Sequence, residues 1–315
     1  MEYRHTPVLL AEVTQHLSLH DGSIFVDCTL GGAGHAKRIA ELVAPTGIVV
    51  GIDQDDAAIA AAEDTLRLGQ QNQPTIVLVK GNFRDLDALM LEARVPYVDG
   101  LLFDLGVSSP QLDEADRGFT YQEDAPLDMR MDPSTSQLTA ADIVNTYPEA
   151  EIARILREYG EERWASRIAA FIVAARGRQP LRTTGELVVL VKIAIPASAR
   201  RTGGHPARRT FQALRIEVNH ELAALERGLR QGVFWLAPGG RIAVISYHSL
   251  EDRIVKQLFA EFAEGCVCPP EMPVCRCGRE PVLRIVTKRA VVPTTDEVEQ
   301  NPRARSARLR VAERL

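Results

Sequence analysis

A chain of 315 residues with 45% hydrophobic and 25% charged side chains has an ordinary globular composition and room for two domains, or one domain with a large insertion. It holds no run of about 18 apolar residues, and its opening MEYRHTPVLLAEVTQHL lacks an apolar signal core; this argues against a membrane span or secretory leader and for a cytoplasmic protein. The net charge of −5 speaks against a nucleic-acid binder, but the distribution does not. No acidic residue lies between Glu186 and Glu217, a stretch holding Lys192, Arg200, Arg201, Arg208, Arg209 and Arg215, and Arg303, Arg305, Arg308, Arg310 and Arg314 face only Glu313. Two basic stretches on an acidic body suit a polyanionic partner; solvated charged faces are the plainer reading.

In chain order, Thr6 as N-cap with Pro7 behind it opens a short helix. Ser23 to Val26 is an apolar strand ending in Asp27. Gly31-Gly32-Ala33-Gly34 follows, then an apolar-periodic helix, then Ile48 to Ile52 ending in Asp53. This is a βαβ unit with a glycine-rich turn, and Asp53 at the second strand's tip can accept hydrogen bonds from a ribose diol. Lys37 stands where a dinucleotide fold has its third glycine. That favours S-adenosylmethionine over NAD, because the former has no pyrophosphate to seat on the helix N-terminus. The bland alternative is a βαβ turn with no ligand.

Asp55 to Leu68 reads as a helix and Thr75 to Val79 as a β-branched third strand. Phe83, just beyond that strand, can stack on an adenine or fill the core. Arg84 to Ala93 is a helix. Val98 to Phe103 is a fourth strand ending in Asp104. This rhythm predicts an α/β fold, a mostly parallel doubly wound sheet. It breaks at Gln111. From there to Pro206 helices are predicted over Ala140–Asn145, Glu149–Glu158, Glu161–Arg176 and Thr184–Ile195. The expected layout is 1–110, an all-helical insertion over 111–206, and 207–315. A long helix from Arg209 to Gln231 leads into strand five, Arg241 to Ser246. Ser249 with Asp252 matches a capping box for the next helix. Tyr247 and His248 lie at that strand's carboxyl end. Val282–Thr287 and Leu309–Ala312 read as an antiparallel edge pair.

Cys28 falls at the end of strand one and is expected to be buried. The other cysteines form Cys266-x-Cys268-x6-Cys275-x-Cys277 with prolines between. Four soft ligands this close can hold a structural zinc; the CxC spacing departs from the usual knuckle, and a reduced loop is the alternative.

His5-Thr6-Pro7-Val8-Leu9-Leu10, Gly31-Gly32-Ala33-Gly34-His35, Asp104-Leu105-Gly106-Val107-Ser108-Ser109-Pro110-Gln111-Leu112-Asp113, Pro126-Leu127-Asp128-Met129-Arg130-Met131, Arg209-Thr210-Phe211-Gln212-Ala213-Leu214-Arg215, Ser246-Tyr247-His248-Ser249-Leu250-Glu251-Asp252-Arg253 and Asn301-Pro302-Arg303-Ala304-Arg305-Ser306 occur in this order. Together they resemble the bacterial 16S ribosomal RNA (cytosine-N4) methyltransferases of the H type. The resemblance implies a class I, Rossmann-like methyltransferase domain interrupted by a helical substrate-recognition domain. It implies S-adenosylmethionine as cofactor, and 16S rRNA within the small ribosomal subunit as substrate, methylated at N4 of cytosine 1402 in standard rRNA numbering. It implies cofactor contacts at Ala33, Gly34, His35, Asp53, Phe83, Asp104 and Gln111. The oligomeric state stays open, a homodimer included. One departure concerns the base: no Asp/Asn-Pro-Pro-aromatic motif follows strand four, so the clamp on a flipped cytosine must come from elsewhere, with Tyr247, Phe119 and Tyr121 as candidates.

Asp104 is the best-placed carboxylate for substrate or cofactor, and His248 is the candidate proton acceptor, although a strand-end histidine is more often structural. An NAD-dependent dehydrogenase shares the βαβ unit but would want the third glycine. A non-catalytic RNA-binding factor would not need the loop and Asp53. Arg208→Ala and Arg209→Ala should weaken RNA binding in a salt-dependent way, each reducing the slope of log affinity against log salt by about one phosphate contact. Cofactor affinity, followed by calorimetry, should stay unchanged; equal loss of both would count against the basic stretch.

Overall fold

The structure, a computed structural model, describes residues 7–66, 73–108, 111, 114–201, 204–268 and 276–315. The chain forms two compact units, Met1–Gly106 with Leu222–Leu315, and Val107–Glu221.

The first unit begins with α1 (Leu10–Leu17), β1 (Ile24–Asp27), α2 (Gly34–Val43), β2 (Ile48–Asp53), α3 (Asp56–Leu66), β3 (Thr75–Lys80), α4 (Leu86–Ala93) and β4 (Val98–Asp104). The second carries α5 (Ala140–Thr146), α6 (Glu149–Glu158), α7 (Ala165–Arg176), α8 (Thr184–Ala194) and α9 (Arg208–Asn219). The chain continues with α10 (Glu221–Trp235), β5 (Leu236–Ser246), α11 (Ser249–Ala263), β6 (Leu283–Ile285), α12 (Thr295–Gln300) and β7 (Arg308–Arg314).

The seven strands make one sheet in the order β3-β2-β1-β4-β5-β7-β6. The first five are parallel; β7 runs antiparallel to both β5 and β6. It is a Rossmann-like α/β sheet with an antiparallel edge. Both faces of the central strands are covered. Val26, Val50, Leu101, Phe103, Ile242 and Val244 belong to one buried cluster, and Phe25, Val49, Leu102, Ala243 and Ile245 to the other. These strands therefore read as unbroken apolar runs rather than alternating ones. Adjacent strands leave β1 in opposite directions along the sheet, toward β2 and toward β4, and the crevice at such a switch point opens at the carboxyl ends.

Among the described residues the second unit has no strand, only the bridge Pro126–Thr183. Thr139 with Asp142 and Thr183 with Glu186 form capping boxes that start α5 and α8. Residues 114–138 are irregular but pinned. Asn219 Oδ1 accepts from Met131 N–H at 2.7 Å while its Nδ2 donates to Met129 O at 2.8 Å. Arg130 pairs with Asp128 at 2.7 Å. Met129 and Met131 are buried in the helical core.

Several expectations shift. Helix α1 starts at Leu10, not behind Thr6; Leu9 precedes it in the left-handed region and its N–H is held by Glu297 Oε1 at 2.7 Å. Thr6 itself lies outside the described residues. The long helix expected from Arg209 to Gln231 is two helices, broken at His220 with φ 52°. The helical unit runs over 107–221 rather than 111–206, because Phe211, Ala213, Leu214 and Val218 bury their side chains in its core. The box at α11 sits one residue earlier: His248, not Ser249, is the N-cap, with Glu251 as its partner. No helix among the described residues is long and apolar enough to cross a membrane.

Gly228 in α10 is where that helix meets the tip of the third strand. A Cβ there would come within 2.8 Å of Phe83 O and 2.9 Å of Phe83 Cδ2. Gly228→Ala should destabilise the protein by about 1–3 kcal/mol, as overpacking against backbone does, and should move Phe83. Thermal denaturation checks the first effect; a fully wild-type midpoint would show that α10 can retreat freely.

Candidate active site

Three carboxylates stand at the tips of adjacent strands in the first unit: Asp53 on β2, Asp27 on β1 and Asp104 on β4. The loop between β1 and α2 ties them together. Thr29 N–H donates to Asp27 Oδ1 at 3.1 Å, and Thr29 Oγ1 accepts from Asp104 N–H at 2.6 Å, across the switch point. Gly31 N–H donates to Asp53 Oδ2 at 2.8 Å, and Asp55 N–H to Asp53 Oδ1 at 2.9 Å.

The turn itself demands small residues. Ala33 occupies the left-handed region, φ 60°, as the cap residue of α2. A Cβ on Gly34 would lie 2.4 Å from Pro7 Cγ, whereas one on Gly32 would meet nothing within 4 Å, so the loop's outer edge faces open space. Beneath it His35 is buried. Its Nε2 faces Val8 O at 3.0 Å, and since a carbonyl only accepts, that nitrogen carries a proton. Its Nδ1 points toward Asp104 Oδ2 at 3.6 Å, beyond hydrogen-bond length.

Asp104 receives its hydrogen bond from the far side of the sheet order: Tyr247 Oη donates to Asp104 Oδ1 at 2.8 Å. Gly106, φ 102°, turns the chain beside that ring; its Cβ would sit 3.6 Å from Tyr247 Cδ2. Glu251, buried, fixes the turn behind the tyrosine by accepting from Tyr247 N–H at 2.8 Å and His248 N–H at 3.2 Å.

Electrostatics follow from burial. Desolvation pushes the Asp104 carboxyl up to about 7, against the pull of the Tyr247 hydrogen bond. It raises Asp27 and Asp53 to about 6 each, against His35 and the Thr29 amide for Asp27 and the Asp55 and Gly31 amides for Asp53. Burial lowers His35, with Asp27 opposing. Three carboxyls held above their ordinary range, with few cations near, form a site that a cationic, hydroxyl-bearing ligand would stabilise in its ionised form.

A family model, the MraW methylase family, matches residues 2–315. The chain belongs to that family. A ribosomal RNA small subunit methyltransferase H from Heliobacterium modesticaldum is 55% identical over all of both chains. Another of that name from Paenibacillus sp. is 56% identical over 99% of this chain and 100% of its own. A third, from Geobacter sulfurreducens, is 54% identical over all of both.

The methylase uses S-adenosylmethionine, and the donor set fits it. Asp53 keeps lone pairs beyond its two amide partners for a ribose diol, and the open edge at Gly32 leaves room for backbone contact. Of the residues singled out in the sequence, Ala33, Gly34, His35, Asp53 and Asp104 come together around this loop. Phe83 is half-buried; its ring packs edge-on against Phe103 at 5.5 Å and 83°, so the core reading explains at least part of it. Gln111 belongs to the helical unit, where it is buried and its Oε1 accepts from Ser108 N–H at 3.0 Å. His248 serves the α11 cap, with Nδ1 facing Glu251 N–H at 3.5 Å and Nε2 3.2 Å from Glu251 Oε1. Phe119 is core of the helical unit, and Tyr121 stacks on His205 at 4.6 Å. The β1–α2 loop and strand tip thus add Asp27 and Thr29, and the first turn of α11 adds Glu251. Asp27 carried a readable signal, an apolar run ending in an acid, as Asp53 and Asp104 do.

The basic stretches are smaller than a residue count implies. Arg215 is bidentate to Glu221 at 2.8 and 3.0 Å, and Arg310 to Asp252 at 2.7 and 3.1 Å. Arg208, Arg209, Arg303 and Arg305 remain exposed.

A carboxyl raised by folding binds its proton more tightly in the native state than in the unfolded one. Between pH 4 and 7 the native state therefore holds more protons, and stability falls as pH rises through that window. Asp104→Asn removes this contribution while its amide oxygen can still accept from Tyr247. The cofactor-free variant should exceed the wild type by roughly 1–3 kcal/mol at pH 8, with the gap closing below pH 4. Calorimetric melting across that range measures it; a variant less stable at pH 8 would refute the assignment.

Proposed function

We propose that this methylase transfers the methyl group of S-adenosylmethionine to N4 of cytosine 1402 of 16S rRNA, acting on the small ribosomal subunit in the cytoplasm. The names carried by its relatives support the ribosomal substrate. The observation that carries the chemistry is Asp104, held by Tyr247 at the tip of β4 beside the glycine loop.

Cytosine N4 is a weak nucleophile because its lone pair is delocalised into the ring. The enzyme must hold it in line with the transferable methyl at about 3 Å. It must also accept hydrogen bonds from the amino group, so that charge developing on nitrogen is stabilised. Bound S-adenosylmethionine supplies the electrophilic methyl. Ala33, Gly34, His35 and Asp53 would hold it, with Phe83 and Gln111 as further contacts. Asp104 accepts from the amino group. Its raised affinity for a proton suits it to take the one the nitrogen loses after transfer, and Tyr247 keeps the carboxylate oriented. His248 holds the turn that places Tyr247 rather than acting as the base. The base must leave its stack to reach this depth. The Val107–Glu221 unit would recognise the surrounding RNA, with Arg208 and Arg209 on its phosphates.

Incubation of radiolabelled cofactor with isolated small subunits and with naked 16S rRNA, followed by nucleoside mass spectrometry, tests this reading. N4-methylcytidine at position 1402 is expected, and a C5 methyl or another nucleotide would refute it. Asp104→Asn should lower kcat on the order of 10²-fold or more, with activity in the wild type rising through pH 7.

A further inference from the structure

Beyond the methyl-transfer chemistry, the segment between α11 and β6 gathers three thiols. Cys266, Cys268 and Cys277 place their sulfurs within 4.8 Å of one another. Cys266 Sγ and Cys277 Sγ are 3.8 Å apart, far beyond the roughly 2.05 Å of a disulfide; none of these three is disulfide-bonded. Tetrahedral zinc with Zn–S bonds of about 2.3 Å needs sulfurs about 3.8 Å apart, the edge of that tetrahedron.

Two further features favour a metal over a chance meeting of thiols. Arg276 N–H donates to Cys268 Sγ at 3.4 Å, the backbone contact that stabilises a thiolate carrying a metal. The described residues of the segment also have little regular structure around them. Residues 264–268 and 276–281 form neither helix nor strand and are largely exposed, with Val267 49% accessible. They contribute no side chain to the buried clusters. The base of the loop is closed: Val282 N–H donates to Phe262 O at 2.7 Å, and Arg279 bonds Glu261 O. Gly278, φ 60°, turns the chain directly after Cys277. A loop closed at its base, poor in apolar contacts and converging three sulfurs, is a site where an ion can replace a missing core.

We propose that Cys266, Cys268 and Cys277 bind a zinc ion that clips this loop to the end of α11. Cys275, the fourth thiol of the sequence motif, lies outside the described residues. On binding, each thiol gives its proton to solvent and the thiolate bonds the ion; no oxidant or reductant takes part. Soft ligands of this kind select zinc over magnesium or calcium. The site stands apart from the strand-tip carboxylates in its chemistry, and its part is structural.

The test uses the full-length protein, purified without chelator and without a metal-affinity tag. Elemental analysis should find about one zinc per chain. Replacement by cobalt should give a thiolate-to-metal charge-transfer band with the intense visible bands of tetrahedral cobalt. Cys266→Ser with Cys277→Ser should abolish both zinc and spectrum. Removal of zinc by a strong chelator should speed proteolytic cleavage within 264–281 while the circular dichroism of the bulk stays unchanged. Iron in place of zinc, a cobalt spectrum without sulfur bands, or unchanged zinc content in the double variant would overturn the site. So would a Cys266–Cys277 disulfide, found by mass spectrometry in protein kept from air. Should the double variant fail to fold, the wild-type cobalt spectrum decides alone.

Discussion

The constraint on which the rest of this structure depends is the spacing of three acidic side chains across a parallel sheet. Asp53, Asp27 and Asp104 lie on neighbouring strands, where like charges repel and burial disfavours each in ionised form. The loop after β1 makes this arrangement tolerable. Its amides and the Thr29 hydroxyl bridge Asp27 to the backbone of β4, and the Gly31 amide reaches Asp53. Apart from the Thr29 hydroxyl, backbone amides do the bridging, and the small residues of the loop leave them room. A side chain at Gly34 would collide with Pro7, so the N-terminal segment also depends on the same economy of volume. The cofactor pocket is in this sense the place where the fold accepts strain that a cationic ligand relieves.

Much of this was legible in the chain itself. Asp53 and Asp104 are visible because each closes an apolar run too long for a half-exposed strand, and in a doubly wound sheet the carboxyl end of such a run faces the ligand. The small-residue loop after β1 fixes the same edge. The resemblance to a known methyltransferase family, carried by seven sequence blocks, extends over the whole length.

What could not be read is pairing across distance. Tyr247 and Asp104 are 143 residues apart, and nothing in either neighbourhood names the other. Arg215 and Arg310 counted as free positive charge because their acidic partners are invisible until the chain folds; Asp252 precedes Arg310 by 58 residues. The cap on α11 moved by one residue because histidine, rarely an N-cap, took the place of the serine that propensity favours. No glycine or proline marks the break at His220; a histidine takes the left-handed conformation there, which carries no signature in the sequence. Phe119, a candidate clamp on the base by residue type, packs in the helical core beside Met129 and Met131.

Strand β7 pairs with β5 along six residues and only then offers its other edge to β6. A strand late in the chain is thus wedged into the interior of the sheet, while the helical unit is one contiguous segment. During synthesis the exposed edge of β5, all apolar from Ile242 to Ile245, waits for more than sixty residues of chain to pass. That interval is when an open, sticky edge invites pairing with other chains. A methylase of this family would itself depend on shelter while leaving a ribosome.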